Sequence, residues 1–338
     1  MYRAYPTPEQ QVLLSKTFGC VRFVWNHMLM DAQQFLNEAG KFFIPTPAKY
    51  KKEFPFLKEV DSLALANTQL DLKEARKKHR EDPKSCGAPK LKSKRKSKMS
   101  YTTNNQKTCR KDGTIKDTIY VVGNLVHLPK VGDVKVKRHR EPEANWVLKS
   151  ATVSCTCSGK YFISLLYEFE KDIQPIKPTK ETSLGLDYSS HDCYVDSNGN
   201  VANYPRFYRQ SETKLARAQR RLSRMQFGSH HYDKQLYRVR VLQEHTANQR
   251  KNFCHTVSTA IAKQYDAVFV EDINLRGLAG SLKLGKSTND NGFGMFRTVL
   301  EYKLASQGKT FAKIDKWYPS SKTCSVCGFI KDDLTLAD

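Results

Sequence analysis

Nowhere does this chain run through the roughly 20 consecutive apolar residues that a membrane-spanning helix needs, which excludes a bundle of membrane helices. The opening residues, Met1-Tyr2-Arg3-Ala4-Tyr5-Pro6, lack the apolar core of a secretion signal, and cytoplasmic residence is the expectation. No internal repeat is visible, so solenoid architectures drop out. The nine cysteines are odd in number and scattered, which speaks against a disulfide framework. Acidic residues are scarce: 34 Asp and Glu stand against 57 Lys and Arg, a net charge of +23. An excess of that size calls for a polyanionic partner, most commonly nucleic acid. A ribosome-associated or merely basic protein is the alternative reading.

The 338 residues can hold two or three domains, each with its own core. Pro8 and Glu9 open a segment whose apolar positions, Val12, Leu13, Phe18, Val21, Val24 and Trp25, suit an amphipathic helix. A second helix is expected from about Ser62 to Arg80. Residues 83–100 then lose all periodicity and carry Lys84, Lys90, Lys92, Lys94, Arg95, Lys96 and Lys98 with no acidic residue among them. Such a run is a solvated linker or a phosphate-binding segment, and the overall charge favours the second. From about 114 to 170 the pattern turns to period two, with a hairpin expected around Cys157-Ser158-Gly159-Lys160. A small antiparallel barrel or sheet is the economical reading, and barrels of this size often bind oligonucleotides. After a proline-bearing linker, 171–182, the order becomes strand, hairpin, two long helices, strand, helix, strand, a mixed α/β domain.

Two apolar runs in that last region end in carboxylates, Ser183-Leu184-Gly185-Leu186-Asp187 and Ala267-Val268-Phe269-Val270-Glu271. Each acid alone reads as a strand-terminating surface residue. Together in one sheet, Asp187 and Glu271 would repel unless one is protonated or a divalent cation lies between them. Paired Mg²⁺ ions held in this way can activate water and stabilise the leaving oxygen in phosphodiester cleavage. Between the two acids, residues 207–265 read as a helical hairpin whose first arm carries Arg209, Lys214, Arg217, Arg220, Arg221 and Arg224. That face is either solvated or a seat for backbone phosphates. Near the end, Cys324-Ser325-Val326-Cys327-Gly328 has the form of a zinc knuckle. A structural zinc takes four ligands, and no Cys or His follows Cys327, so the site is expected to be a half site. A redox Cys-x-x-Cys is the lesser alternative, because its usual βαβ context is absent.

Arg3-Ala4-Tyr5-Pro6-Thr7-Pro8-Glu9-Gln10 and Phe18-Gly19-Cys20-Val21-Arg22-Phe23-Val24-Trp25-Asn26 resemble the opening of the TnpB/OrfB proteins of insertion sequences, relatives of the type V CRISPR effectors. Leu128-Pro129-Lys130-Val131-Gly132 resembles a signature of their barrel. Gly185-Leu186-Asp187 is similar to their first RuvC motif, Val270-Glu271-Asp272-Ile273-Asn274 to the second, and Tyr318–Gly328 to the start of their zinc ribbon.

The resemblance implies an α/β multidomain protein. A β-barrel wedge domain (1–18 and 114–182) would be interrupted by a helical recognition domain with its basic linker (19–113). A RuvC-like ribonuclease H domain (183–338) would follow, carrying half a zinc ribbon at 319–338. The same resemblance implies a transposon-encoded endonuclease of the transposase OrfB type, guided by RNA from the transposon end to a DNA target. Asp187 and Glu271 would be its Mg²⁺ ligands and catalytic acids, and Cys324 and Cys327 its zinc thiolates. Lys92, Lys94, Arg95, Lys96, Arg217, Arg220, Arg221 and Arg224 would contact nucleic-acid backbone, while guide pairing selects sequence. In the family a second Cys-x-x-Cys and an Asp-Arg-Asp-x-Asn segment with a third carboxylate come next; this sequence reaches Asp338 before either. A fragment with impaired cleavage is therefore the expectation, with a nuclease-inactive, RNA-guided DNA-binding protein as the alternative.

Overall fold

The computed structural model describes residues 1–95, 97–109, 115–281, 285–315, 323, 327 and 329–331. The chain divides into two compact units, Met1–Glu170 and Lys171–Asp338.

In the first unit, strand β1 (Tyr2–Tyr5) leads into helix α1 (Pro8–Ala39) through a reciprocal cap. Thr7 accepts from the Gln10 amide while the Gln10 side chain accepts from the Thr7 amide, and Pro8 supplies a preset φ at the first helical position. Gly40, in the left-handed conformation at φ 66°, ends the helix. Leu14, Phe18, Val21, Trp25, Met28 and Ala32 recur every three or four residues and are all buried. A short helix α2 (Pro47–Glu53) precedes α3 (Ser62–Glu81). Asp61 caps α3 through the Leu63 amide and takes the Thr103 hydroxyl on its other oxygen, so one carboxylate joins helix to strand.

The main sheet of this unit has β1 at its centre, joined by β2 (Met99–Asn104), β5 (Tyr120–Val122), β6 (Leu125–Leu128), β7 (Gly132–Lys137), β8 (Val147–Cys155) and β9 (Tyr161–Glu168). A separate ribbon pairs β3 (Lys107–Cys109) with β4 (Ile115–Asp117). The main order is β2-β8-β9-β1-β7-β6-β5. β8 and β9 form the hairpin expected from the sequence, turning at Gly159 with φ 76°. The small barrel, in contrast, does not close. β2 and β5 lie at opposite ends of the strand order, and no ladder among the described residues joins them. A barrel wall must curl until its first and last strands pair. Here helices cover the apolar face instead, with Leu14, Phe18, Met28, Leu65 and Leu72 in one core with Tyr101, Val136, Ala151, Val153 and Ile163. Helical and strand segments of this unit thus share a single core.

The second unit has a four-stranded sheet, ordered β11-β10-β12-β13, from β10 (Ser183–Ser189), β11 (Cys193–Asp196), β12 (Ala267–Glu271) and β13 (Thr310–Ile314). β10 and β11 are an antiparallel hairpin; β10–β12 and β12–β13 are parallel. Parallel neighbours need long crossovers. The first supplies α4 (Phe207–Ser223) and α5 (His230–Gln264), and the second α6 (Leu275–Ser281), α7 (Gly285–Asn291) and α8 (Phe293–Ala305). Leu184, Leu186, Val268 and Val270 meet Cys254, Ile261, Phe296, Leu300 and Leu304 in the core beneath the sheet. This unit is the mixed α/β fold anticipated from the element order.

Candidate active site and nucleic-acid interface

Leu186 of β10 pairs with Val270 of β12, and both are buried. The next residue on each strand is Asp187 and Glu271. Side chains alternate faces along a strand, and parallel neighbours lie about 4.8 Å apart, so the two acids emerge side by side on the face opposite that core pair. Burial first, then the charge of Asp187 and the hydrogen bond to it, push the Glu271 carboxyl above the ordinary carboxylate range. Two adjacent hard oxygen donors suit a hard cation such as Mg²⁺. Among the described residues no three His, Cys, Asp or Glu side chains gather closely enough to hold a metal ion, so two carboxylates are their contribution.

Arg297, on α8, supports the strand end. Its Nη1 donates to the Glu271 carbonyl at 3.3 Å and lies 3.8 Å from Asp272 Oδ1, with the guanidinium 5.4 Å from the Phe293 ring. Its charge is thus directed to Asp272 and the backbone. Sequence reading missed Arg297 because a single arginine on a helix of mixed apolar and charged residues carries no local signal.

The segment 288–291 holds the far end of β10. Tyr188 Oη and Thr288 Oγ1 are 3.2 Å apart, and Asn291 Nδ2 donates to the Ser189 carbonyl at 3.2 Å. Asp290, only 3% exposed, lies between them in sequence. Its Oδ1 accepts from the Tyr208 amide at 3.0 Å and its Oδ2 from the Arg209 amide at 3.4 Å. The residue preceding α4, Arg206, makes no side-chain cap of its own, so a carboxylate some eighty positions away in sequence caps this helix. Arg250 Nε (2.6 Å) and Tyr204 Oη (2.6 Å) donate to the Asp290 carbonyl, and Arg250 Nη2 lies 3.5 Å from Asp290 Oδ1. One short segment therefore mounts both the Asp187 strand and the arginine helix. A lone Asp within Ser-Thr-Asn-Asp-Asn gives no sequence hint of this.

Arg217, Arg220 and Arg221 on the second half of α4, and Arg224 at its C-cap, are all exposed. Among the described residues none of them forms an ion pair. Lys94 and Arg95 are also exposed, while Lys96 lies outside the described residues. Lys92 is placed differently. Its Nζ lies 3.4 Å from the Trp25 ring centroid, and its backbone exchanges two hydrogen bonds with the Asn26 amide side chain, at 2.8 and 2.9 Å. Burial lowers its affinity for a proton, partly offset by the Asp71 charge. Lys92 is a peg holding the basic segment to α1. Cys327 sits exposed at a turn closed by the bridge between Thr323 and Ile330. Its expected partner Cys324, and most of the zinc-ribbon span 319–338, lie outside the described residues.

Comparison with known proteins adds to this geometry. A family model described as "Probable transposase", OrfB of the IS605 type, matches residues 164–282. A helix-turn-helix model of the same OrfB type matches 1–41, which here is β1 followed by the single helix α1. A model described as "Cas12f1-like, TNB domain" matches 293–336. A protein of Streptomyces pristinaespiralis provisionally named RNA-guided DNA endonuclease is 30% identical over 99% of this chain and 81% of its own length. The Escherichia coli K12 protein with the same provisional name, InsQ, is 27% identical over 97% and 82%. A cryo-EM structure of a Cas12f1-sgRNA-target DNA complex matches 97% of this chain and 78% of that one with a TM-score of 0.56; at 12% identity it speaks to the fold alone.

Proposed function

Since this chain belongs to the TnpB/OrfB family of insertion-sequence RNA-guided DNA endonucleases, relatives of the type V CRISPR effectors, we propose that it cuts DNA at a site built on Asp187 and Glu271. The observation that carries this reading is the parallel register of β10 and β12, which puts the two carboxylates side by side, so that burial and the Asp187 charge raise the Glu271 carboxyl above its ordinary range. Their role is to hold Mg²⁺. When bound, the metal supplies Lewis-acid polarisation of the scissile phosphate and a water acidic enough to attack at neutral pH, in the two-metal manner of phosphodiester hydrolysis.

The other steps fall to the chain's own groups. Arg297 fixes the end of β12 so that the Glu271 side chain keeps its place beside Asp187. Arg217, Arg220, Arg221 and Arg224 neutralise backbone phosphates, with Lys94, Arg95 and Lys96 as a second such group. Cations placed in this way position a strand without reading its bases. Sequence choice then comes from pairing between the target and a guide RNA from the transposon end. Cys324 and Cys327 are two thiolates of a zinc ribbon on this reading, a RuvC-like fold surrounds the acids, and 1–18 with 114–182 and 19–113 act as wedge and recognition regions.

The test is a cleavage assay on the chain purified with its RNA, using a matched duplex and a Mg²⁺ titration. Asp187→Ala should remove all metal-dependent cutting while guide-dependent binding persists. Cutting that survives Asp187→Ala would eliminate the proposed site. Guide-dependent binding with no cutting by the unaltered chain would make it a guided DNA-binding protein.

A further inference from the structure

The hairpin of α4 and α5 is held together at its centre by buried residues. Leu215 and Val239 are buried, and Gln235, 4% exposed, donates from Nε2 to the Ala218 carbonyl at 2.9 Å. That amide hook and the small Ala218 side chain leave space beside them where a larger residue would fill the interface. The space is a groove of about 400 Å³, within the ~300–1,000 Å³ range of sites that receive small ligands. Its floor is apolar, from Ala218, Val241 and Leu242. Lys214, Arg217 and Arg221 rim it from α4 and Arg238 from α5, and no carboxylate lines it. Tyr237 forms part of the wall with 52% of its surface exposed.

A tyrosine left half in solvent beside four cations is poorly explained by packing, because the hairpin's own core is complete without it. Surfaces that bind single-stranded nucleic acid combine these two elements, a cationic rim that follows the backbone and an aromatic face on which an unpaired base stacks. A duplex offers phosphates but hides its base faces, and a folded acidic protein would match the charge but not the flat apolar slot.

We propose that the groove between α4 and α5 receives one unpaired nucleotide, its base stacked on Tyr237 over Ala218, Val241 and Leu242 and its flanking phosphates held by Lys214, Arg217, Arg221 and Arg238. This rests on the nucleic-acid role proposed above and deepens it, since the arginines then grip a single strand at a defined point.

The experiment compares two ten-nucleotide single strands of equal charge, one intact and one with every base removed, binding to the full chain in a salt titration. The intact strand should bind at least about five-fold more tightly, the low end of the usual contribution of one stacked base. Tyr237→Leu should close most of that gap while leaving the affinity for the base-free strand unchanged, and Tyr237→Phe should preserve it. Tyr237 is exposed, so both variants should fold, which a thermal melt verifies. A gap that Tyr237→Leu leaves intact, or equal affinity for both strands, overturns the groove proposal while steep salt dependence still upholds backbone binding. Loss of salt-dependent binding to both strands would overturn the nucleic-acid role itself.

Discussion

Particular charges in the two units are met in different ways. In the first, Lys16 meets Glu59 at 2.7 Å, Lys49 meets Asp31 at 2.7 Å, and Lys92 lies on Trp25 with Asp71 nearby. In the second, Asp187 and Glu271 are like charges on neighbouring strands, and four arginines line α4 without a counter-ion among the described residues. Unmatched charge lowers the stability of a folded chain, and where a fold holds it in place a ligand is the economical explanation. Basic residues that look alike in the sequence thus do different work, and the contrast can be broken experimentally.

The largest expected effect is in the first unit. Trp25→Ala removes a buried ring and the seat of Lys92 together and should cost about 3–5 kcal/mol in denaturant unfolding, with new protease sensitivity between residues 90 and 95. A loss below about 1 kcal/mol would mean that the basic segment is not anchored there.

Next is the mount of the arginine helix. Asp290→Ala leaves the Tyr208 and Arg209 amides and the Arg250 guanidinium without their carboxylate, for a cost of about 2–3 kcal/mol. Hydrogen exchange should locate it, with those two amides losing protection while the middle of α5 keeps its own. Unchanged exchange at both amides would refute the cap.

Glu271→Gln should act in the reverse direction. In the folded chain Glu271 binds its proton more readily than when unfolded, so the stability tied to that proton is complete below the ordinary glutamate range. It is lost as pH rises through the elevated value. A glutamine amide donates to Asp187 at every pH, so the variant should match the parent in acid and exceed it near neutrality. Melting curves across pH check this, and a stability difference that shrinks as pH rises would contradict the paired-carboxylate account.

The smallest effect on stability, and a large one on binding, belongs to the quadruple change of Arg217, Arg220, Arg221 and Arg224 to Gln. Each exposed site should shift stability by no more than about 0.5 kcal/mol, while the log–log salt slope for single-stranded RNA falls by about 0.7 for each phosphate no longer neutralised. Lys92→Gln should leave that slope where it was. Equal slopes for the quadruple variant and the parent would erase the distinction between the two units.

Much of the fold was legible locally. Thr7-Pro8-Glu9-Gln10 announces the start of α1, the β8–β9 hairpin follows from alternation and Gly159, and two apolar runs ending in acids identify β10 and β12. The barrel was misread because alternation in β6, β7, β8 and β9 reports that one face is buried and not what covers it; α1 and α3 do. Lys92 was read with its neighbours because nothing in residues 83–100 records that Trp25 and Asn26 wait on another element. Arg297 and Asp290 were passed over for the same reason, since their roles exist only through partners remote in sequence.

Capping, periodicity and charge are properties of neighbouring residues, so the order of amino acids alone fixes where strands and helices begin, which faces are apolar, and the large positive excess. Which acids become neighbours, which lysine becomes a peg, and which helix displays its arginines are outcomes of the packed chain. They depend on a parallel register and on caps that join residues some eighty positions apart, and short-range patterns do not encode such partners.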